Sequence, residues 1–415
     1  MTVTLPSPLR AGTSAGRPQA GLAAQLILGA GAVGLAIYNA RRWAADRALA
    51  ARLQAALADA VPPLTGTPRV SILVAAWNEA AFLERHIRSV LALRYPNKEY
   101  VLCAGGSDGT LEIARRYAGS GVIVLEQRAG EGKQRALQQA YREASGAIIF
   151  LTDADCLLDD AGFERALEPI INGSEAATTG SSMPLAEQRG GSDFALYQWA
   201  VQQYSLANQP PYGEGLLGRN AAIRRDALEA AGAFSAPVPT GTDYHLAKAL
   251  LRRGYRIRSV PASLVATPYA TAWSRYARQQ RRWLRNVTLL GARFGAWHEV
   301  RASLQTSLLG AAMLIAPGAL LIGTVLGRLG ASARRPAGGA LAGAVVRLVF
   351  VMWCLAMVHS SLAKVRYLAF GRLLAGQGPI GLRHAATAVQ YTLGEFAVWA
   401  LPLLDYPHAT RRRRW

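Results

Sequence analysis

A chain of 415 residues has room for roughly two or three domains, so its length does not limit the size of a buried core. Its hydrophobic fraction of 51% is high for a soluble protein, and the excess is concentrated in a few uninterrupted stretches typical of membrane spans. The formal net charge of +20 suits nucleic acid, anionic lipid or an anionic substrate. Because zinc-finger spacing and RNA-binding aromatic signatures are missing, we expect no nucleic-acid partner. The three cysteines form no CxxC motif and no close pair, which indicates neither a zinc site nor a disulfide framework.

The first apolar stretch, 21–38, is uncharged, and four arginines follow it between positions 41 and 52. Signal-peptide cleavage after it would place Tyr38 where a small residue is required, so we expect an uncleaved anchor. The arginines predict that the chain after the anchor lies in the cytosol. We therefore predict an N-terminal tail and anchor over 1–43, followed by an amphipathic linker over 44–68.

Short β-branched runs alternate with helical patterns from Arg69 to about Pro268. The runs, in chain order, are VSILVAA, YVLCA, VIVLEQ and AIIFL. This alternation indicates an α/β domain with a Rossmann-like parallel sheet covered by helices on both faces. In such sheets nucleotides bind beyond the carboxyl ends of the strands. We place this domain at 69–290 and expect its active site in the loops that follow the strands.

Apolar stretches also follow the α/β domain and predict a C-terminal transmembrane region over 304–405. They are 304–327, 341–363 with Arg347 inside, and 386–404 with Glu395 inside. Together with the anchor they make four spans, which would put the basic tail 406–415 opposite the catalytic domain, against the positive-inside tendency. One of the weaker stretches is therefore a candidate for an interfacial or re-entrant segment. Residues 291–303, with Phe294 and Trp297, are predicted to form a separate helix at the headgroup level.

Two carboxylates, Asp153 and Asp155, follow the apolar strand at 147–151. They emerge two residues apart at the end of the strand and on the same side, which suits a divalent cation such as Mg²⁺ or Mn²⁺. A lone DxD also arises by chance in a solvated turn or helix cap. Its position directly after a strand of buried type favours the cation site.

A glycine-rich segment, Gly130-Glu131-Gly132-Lys133, opens a helical pattern. The arrangement would bring backbone N–H groups and the Lys133 ammonium near a phosphate. A solvent-facing lysine at a helix start explains the same residues equally well.

Asp243 stands in GTDYH, just before a helical run. Its side chain suits either an N-cap or a general base that takes a proton from an acceptor hydroxyl. From the local sequence alone, the cap is the better interpretation.

The QQRRW motif contains Gln279, Arg282 and Trp283 within a basic helix. Arg282 suits the compensation of charge on a departing diphosphate, and Trp283 suits one wall of an acceptor pocket. A basic helix lying on anionic lipid shows the same pattern. Periodicity does not separate these interpretations.

In order, the motifs VAAWNE, GGSDGT, EGK, DAD, GRNAAIRR, GTD and QQRRW resemble those of membrane-bound members of glycosyltransferase family 2. These include cellulose and hyaluronan synthases and ceramide glucosyltransferase, and the resemblance covers about 70–283. It implies a GT-A fold and inverting, cation-dependent transfer from a nucleotide sugar, with a UDP-sugar as the expected donor, to a membrane-associated acceptor. A lipid acceptor is favoured over a processive polysaccharide synthase because roughly three C-terminal stretches are few for a channel. The implied location is the plasma membrane, multi-pass, with a cytosolic catalytic domain.

The resemblance also implies roles for individual residues. The donor-binding residues are Asn78, Glu79, Asp108, Lys133 and Asp153, and the metal ligand is Asp155. The acceptor-binding residues are Gly218, Arg219, Asn220, Gln279 and Trp283. Asp243 becomes the general base, which replaces the cap interpretation, and Arg282 stabilises the leaving diphosphate.

Two positions depart from the family pattern. Ala104-Gly105 stands where family members commonly carry paired aspartates, and Thr242 stands where a glutamate usually precedes the catalytic aspartate. The first departure motivates an alternative of another class, a catalytically silent membrane protein that binds nucleotide sugar or lipid. Retention of Asp155, Asp243 and Arg282 together argues against it.

Overall fold

A computed structural model describes residues 17–207, 209–238, 240–330 and 336–405, with side chains described from 29 to 325 and from 346 to 405 within those ranges. The predicted basic tail lies outside the described residues, as do the first side chains of the predicted anchor. Two compact units are distinguished, Met1–Ala48 and Leu49–Trp415. Everything that follows concerns the second unit.

The chain forms one eight-stranded sheet surrounded by helices. The strands are β1 (Val70–Trp77), β2 (Lys98–Gly105), β3 (Val122–Glu126), β4 (Ile148–Leu151), β5 (Ala177–Pro184), β6 (Tyr212–Gly213), β7 (Ala221–Arg224) and β8 (Ile257–Thr267). The helices are α1 (Arg17–Ala58), α2 (Ala80–Leu91), α3 (Thr110–Arg115), α4 (Gly132–Glu143), α5 (Asp160–Ile171), α6 (Ala186–Gly191), α7 (Asp193–Ala207), α8 (Arg225–Ala230), α9 (Thr242–Arg252), α10 (Trp273–Phe294), α11 (Trp297–Gly330), α12 (Pro336–Leu374) and α13 (Leu382–Ala400).

The strand order is β3-β2-β1-β4-β7-β5-β8-β6. The four strands predicted from the sequence, β1 to β4, are parallel to their neighbours among themselves. The second half of the sheet is mixed, because β7 lies between β4 and β5 and runs antiparallel to both. The prediction of a parallel sheet is therefore correct for the first half only, and the carboxyl ends of β1, β2 and β4 meet at one edge.

Helices cover the sheet on both faces, as predicted. Successive residues of β1 point to opposite faces. Ile72 and Val74 pack with Ile87 of α2 in a core that α3 and α5 complete. Leu73 packs on the other face with Leu137 of α4, in a core that includes α8 and α9. The result is a three-layer α/β/α domain with its loops gathered at the strand ends.

An aromatic cluster joins this domain to the C-terminal helices. Phe194 and Tyr197 of α7 contact Tyr391 of α13, with ring centroids 5.2 and 4.9 Å apart, and Tyr276 of α10 packs beside them. At its centre the buried Glu395 accepts hydrogen bonds from the hydroxyls of Tyr197 and Tyr276. It also forms an ion pair with Lys364 of α12.

The chain turns sharply between α10 and α11. Gly295 has a φ of 72°, a left-handed conformation that glycine adopts without strain, and it ends α10. The separate interfacial helix predicted over 291–303 is therefore not formed. Its residues are divided between the last turn of α10 and the first turns of α11.

Two helices in the described residues are long and apolar enough to cross a membrane, judged by length and composition. Their apolar segments are Trp297–Val325 in α11 and Val346–Leu374 in α12. The predicted stretch 386–404 corresponds to α13 and a short 3-10 helix, and it is not among these candidates. The reason is its polar content, which includes Arg383, His384, Gln390 and Glu395.

Candidate active site

The carboxylates Asp153 and Asp155 lie in a tight turn directly after β4. The amide of Cys156 donates to the Asp153 carbonyl at 3.0 Å, and Leu157 exchanges backbone hydrogen bonds of 2.7 and 3.0 Å with Ala266 of β8. The turn is thus held by the sheet itself, which fixes the two side chains at the strand edge.

A buried histidine of α2 is hydrogen-bonded to the backbone of this turn. The imidazole of His86 in α2 is fully buried, and its Nδ1 lies 2.6 Å from the carbonyl oxygen of Cys156. Burial lowers the pKa of His86 to about 4, so the ring is neutral near pH 7 and donates from Nδ1. Sequence reasoning missed this residue because a lone histidine on an apolar helix face carries no local signal.

The two carboxylates differ electrostatically. Burial raises the pKa of Asp153, but the nearby charges of Lys133, Arg219 and Arg282 outweigh it and hold that pKa below its usual value. Burial and the charge of Asp153 together raise the pKa of Asp155. Asp153 is thus already paired with cations of the chain, whereas Asp155 carries charge that is incompletely compensated.

Lys133 is the second residue of α4, and its ammonium forms an ion pair with the Asp153 carboxylate. Burial lowers the pKa of Lys133, but Asp153 and then Asp243 outweigh this effect and raise it. Lys133 therefore stays charged, close to both Asp153 and Asp243. The glycine-rich segment before α4 brings the lysine to this position.

The loops after β1 and β2 are fastened to each other. Oδ1 of Asn78 accepts from the Ser107 amide at 2.8 Å, and a Cβ at Gly106 would lie 2.2 Å from that same oxygen. Asp108 accepts from the amides of Ala80 and Thr110 at 3.0 and 3.1 Å. The side chains of Asn78 and Asp108 thus shape the predicted donor pocket by holding its backbone.

Glu79 lies among the acids of the site. Burial, followed by the charges of Asp155 and Asp153, raises the pKa of Glu79 to about 7, and Arg275 of α10 opposes that shift. Three carboxylates therefore share one edge of the sheet. The contribution of Arg275 was not predicted, although it stands on the same helix as QQRRW.

The departure at Ala104-Gly105 has a steric cause. Ala104 is fully buried in β2, and a Cβ at Gly105 would lie 2.2 Å from the Gln127 carbonyl oxygen and 2.9 Å from the Trp77 ring. No side chain fits at Gly105, because the neighbouring strand end and the indole occupy the space. The Gln127 carbonyl and the Trp77 ring thus exclude a side chain from Gly105, and Trp77 itself is 39% exposed.

The three residues of the segment Gly218-Arg219-Asn220 lie in different surroundings. Arg219, predicted on the acceptor side, lies close enough to Asp153 and Asp155 to lower the pKa of both. Asn220 is fully buried and donates to the carbonyl oxygens of Ser181 and Ser263 at 2.9 and 3.0 Å. Its side chain has no surface left for an acceptor, so its place is structural rather than the predicted acceptor contact.

Asp243 is the second residue of α9 and does not cap it. The cap position belongs to Gly241, and within the described part of the chain the Asp243 carboxylate accepts one hydrogen bond, from the amide of the next residue, Tyr244, at 2.9 Å. Gly218 faces it closely, since a Cβ at Gly218 would lie 2.9 Å from the Asp243 Cβ. The carboxylate therefore keeps free acceptor capacity, which a general base requires.

The basic helix α10 borders the other side of the cleft. Arg282 acts on the Asp153 carboxylate, Gln279 is half-buried, and the indole of Trp283 is 41% exposed. Arg281, by contrast, points away and forms a bidentate pair with Asp405 at 2.5 and 2.6 Å. Arg282 thus lies near the acids of the cleft, whereas Arg281 binds the end of the C-terminal helices.

A profile of glycosyltransferase-like family 2 matches residues 68–286, more than half of the chain. The three-layer fold and the acid-bearing edge define a GT-A type α/β domain. The chain belongs to glycosyltransferase-like family 2.

The chain is less than 30% identical to each of two curated relatives. The chain is 27% identical to glycosyltransferase AglE of Haloferax volcanii over 46% of this chain and 64% of that protein. It is 29% identical to β-monoglucosyldiacylglycerol synthase of Trichormus variabilis over 40% of this chain and 38% of that one. The chain thus spans less than two thirds of the length of these relatives. The solved mannosyltransferase PcManGT of Pyrobaculum calidifontis, with GDP-Man and Mn²⁺, aligns with 91% of this chain and 99% of its own at 20% identity and a TM-score of 0.48.

Replacing Gly218 by alanine tests the close approach to Asp243. The added methyl group would push the carboxylate away, and we expect sugar-transfer turnover to fall by about 10-fold or more, because small misplacements of catalytic groups are costly. The matched control is Gly215→Ala in the same loop, where a Cβ meets nothing within 4 Å. Wild-type turnover in Gly218→Ala would contradict the proposed contact.

Proposed function

We propose that this chain transfers a sugar from a nucleotide-sugar donor to a membrane-associated acceptor, with inversion at the anomeric carbon and dependence on a divalent cation. One observation carries the proposal: the acids Asp153 and Asp155, the cations Lys133 and Arg219, and Asp243 converge on one cleft although they come from separate elements. A silent binding protein has no chemical need for a free carboxylate opposite this cluster.

Asp155 fits a divalent cation. Outside the turn, the described residues give Asp155 one side-chain hydrogen bond, a long one of 3.5 Å from the Thr267 hydroxyl, so its oxygens keep lone pairs available. A carboxylate whose pKa is raised by burial and by Asp153 gains from a nearby positive ion. Hard carboxylate oxygens suit Mg²⁺ or Mn²⁺. When bound, the cation would neutralise charge on the donor diphosphate.

The chain's own residues account for the remaining chemistry. Lys133, Arg219 and Arg282 provide fixed positive charge for the diphosphate as it departs. Asp243 takes the proton of an acceptor hydroxyl, whose oxygen then forms a bond to the anomeric carbon. The bond from that carbon to the diphosphate breaks, and the electron pair leaves with the diphosphate. Attack from the face opposite the leaving group inverts the carbon.

A lipid acceptor is the form of this proposal that we favour. The open side of the cleft is bordered by α10, which carries the exposed Trp283 and runs into α11, a candidate span. One relative is named for making monoglucosyldiacylglycerol. A processive synthase would need helices that enclose a polar path, and the described residues contain two candidate spans.

We also propose that α11 and α12 cross the membrane as a hairpin while α13 lies along its surface. The start of α11 bonds to α9 through Glu299 and Lys248, and the end of α12 bonds to α7 through Arg372 and Asp193 at 2.6 Å. Both ends of the hairpin are therefore on the side of the catalytic domain.

The helix α13 packs against α11 and α12, and further contacts hold it to α7 and α10 of the catalytic domain. They run from His384 beside Asp193, through Gly394 against Trp273, to Glu395 beside Tyr276. The opposite face is apolar and exposed, with Leu382, Val389 and Leu393. Because polar residues of α13 are tied to α7 and α10, we place this helix along the membrane surface, with its apolar face at the headgroup boundary.

Replacing Asp243 by asparagine is the test of the proposed reaction. Detergent-purified protein with membrane lipid extract is offered a panel of nucleotide sugars, and nucleotide release and labelled product are measured. We expect Asp243→Asn to lower turnover by about 10²- to 10⁴-fold, the range for a lost general base, with nucleotide binding retained. The matched control is Asp226→Asn, an exposed carboxylate on α8 paired with Arg224. If wild type consumes no donor under any metal or lipid condition, the silent-binding alternative replaces this proposal.

Replacing Asp155 by asparagine tests the cation site. We expect the affinity for Mn²⁺ in the presence of nucleoside diphosphate to fall by about 10-fold or more, since even indirect supports of metal ligands contribute that much. Calorimetry or Mn²⁺ paramagnetic resonance measures this without turnover. In wild type, a chelator should stop turnover and added Mn²⁺ should restore it. Unchanged Mn²⁺ affinity in the variant contradicts the assignment.

Single cysteines test the membrane arrangement. In a background without Cys103, Cys156 and Cys354, cysteines replace Arg383 at the start of α13 and Thr410 beyond its end. We expect a membrane-impermeant maleimide to label both from the same side as Glu126→Cys in the catalytic domain. Labelling of the two α13 markers from opposite sides would contradict an in-plane helix.

A further inference from the structure

A polar junction lies outside the cleft, where α11 begins. The carboxylate of Glu299 accepts a hydrogen bond from the Tyr244 hydroxyl through Oε2 and one from the Lys248 ammonium through Oε1, the latter at 2.5 Å. Tyr244 and Lys248 stand one turn apart on α9. The side chain of Lys248 is only 7% exposed, and its other partner is Glu214, at 2.9 Å. Glu299 therefore bonds α9 at two successive turns.

We propose that Glu299 is a positioning residue that holds α9, and with it the base Asp243, in register with the rest of the active site. The proposal rests on the proposed function, because it concerns the base assigned there. Asp243 directly precedes Tyr244, and its own side chain bonds only the Tyr244 amide. Nothing in the described hydrogen bonds ties the Asp243 carboxylate to another element, so its position follows that of α9.

Packing at the turn between α10 and α11 supports this role. A Cβ at Gly241, the cap of α9, would lie 2.7 Å from Leu290 of α10. A Cβ at Gly291 would lie 3.2 Å from the Tyr244 hydroxyl and 2.9 Å from Val300 of α11. The corner that Glu299 completes thus packs closely on the first turn of α9. Because α10 also carries Arg282, this corner sets the distance between the base and the leaving-group arginine.

Charge explains why the bond to Glu299 is strong. Lys248 is a buried cation, and burying an ammonium without a partner is costly. Glu214 alone is a weak partner because its side chain is 57% exposed, and an exposed ion pair contributes little. Glu299 is the better-enclosed carboxylate, with a side chain 20% exposed, and it also receives the Tyr244 hydroxyl.

A metal site is the alternative explanation for this cluster. Glu214, His298 and Glu299 each offer a ligand atom within 4.8 Å of the others. The Lys248 ammonium already lies 2.9 and 2.5 Å from the two carboxylates. A cation placed between them would face that ammonium, so the junction is an internal ion cluster rather than a metal site.

The test is Glu299→Gln, assayed for turnover and for nucleotide affinity. The proposed donor-binding residues lie in the loops after β1, β2 and β4 and at the start of α4, so we expect the donor KM and the nucleotide Kd to stay within about 2-fold of wild type. The turnover number should fall by roughly 10- to 100-fold, because the base is misplaced. The matched control is Glu214→Gln, which removes the exposed carboxylate from the same lysine and should stay within about 2-fold. Tyr244→Phe, which removes one of the two bonds, should fall between them.

A double variant separates positioning from general loss of structure. If Glu299 acts through Asp243, adding Glu299→Gln to Asp243→Asn should lower the residual turnover by less than about 2-fold. Wild-type turnover in both Glu299→Gln and Tyr244→Phe overturns the proposal, and so does a parallel loss of nucleotide affinity and turnover. Multiplied losses in the double variant also overturn it. A wild-type protein that transfers no sugar would overturn the proposed function itself. That outcome is seen without the Glu299 variants, so the two failures are distinguishable.

Discussion

Two carboxylates held side by side at the end of β4 are the constraint around which the site is organised. Asp153 and Asp155 cannot move apart, because their turn is hydrogen-bonded to β8 and supported from below by His86. Like charges in partial burial repel, and the surrounding elements compensate in an uneven way. Cations from α4, α10 and the loop before β7 lower the pKa of Asp153, and Asp155 is left with excess negative charge. That asymmetry distinguishes Asp153, which lies near three cations of the chain, from Asp155, whose excess charge suits a divalent ion.

Asp243, on the other side of the cleft, is positioned in a different way. Asp243 is not fixed by its own hydrogen bonds, and Gly218 lies too near for any larger residue. Its helix is held from behind by the corner between α10 and α11, where Glu299 meets Tyr244 and Lys248. The helix α10, which carries Arg282, therefore continues through the turn at Gly295 into α11, whose Glu299 bonds the helix of the proposed base. The distance between Asp243 and Arg282 therefore depends on how the first candidate span, α11, packs on α9 and α10.

The helices α12 and α13, which follow the α/β domain, are bonded to it through a buried charged cluster. Glu395 of α13 is buried between Lys364 of α12 and the hydroxyls of Tyr197 and Tyr276, which belong to α7 and α10. Removing one partner of such a buried cluster leaves a charge without compensation, so the cluster resists separation. It holds α13 against α7, α10 and α12, and the apolar residues Leu382, Val389 and Leu393 of this helix stay exposed.

The sequence alone determined the elements and the inventory of chemistry. Short β-branched runs predicted β1 to β4, DAD placed Asp153 and Asp155 at a strand end, and the ordered motifs identified the family. Only the tertiary structure decided which distant residues meet. It placed Arg219 beside the acids, Asn220 inside the sheet, α13 along the domain, and Trp77 in the space a side chain at Gly105 would need. The physical reason is that local patterns encode which face of an element is buried, whereas strand order, close backbone approach and the pairing of buried charges arise only when separate elements pack together.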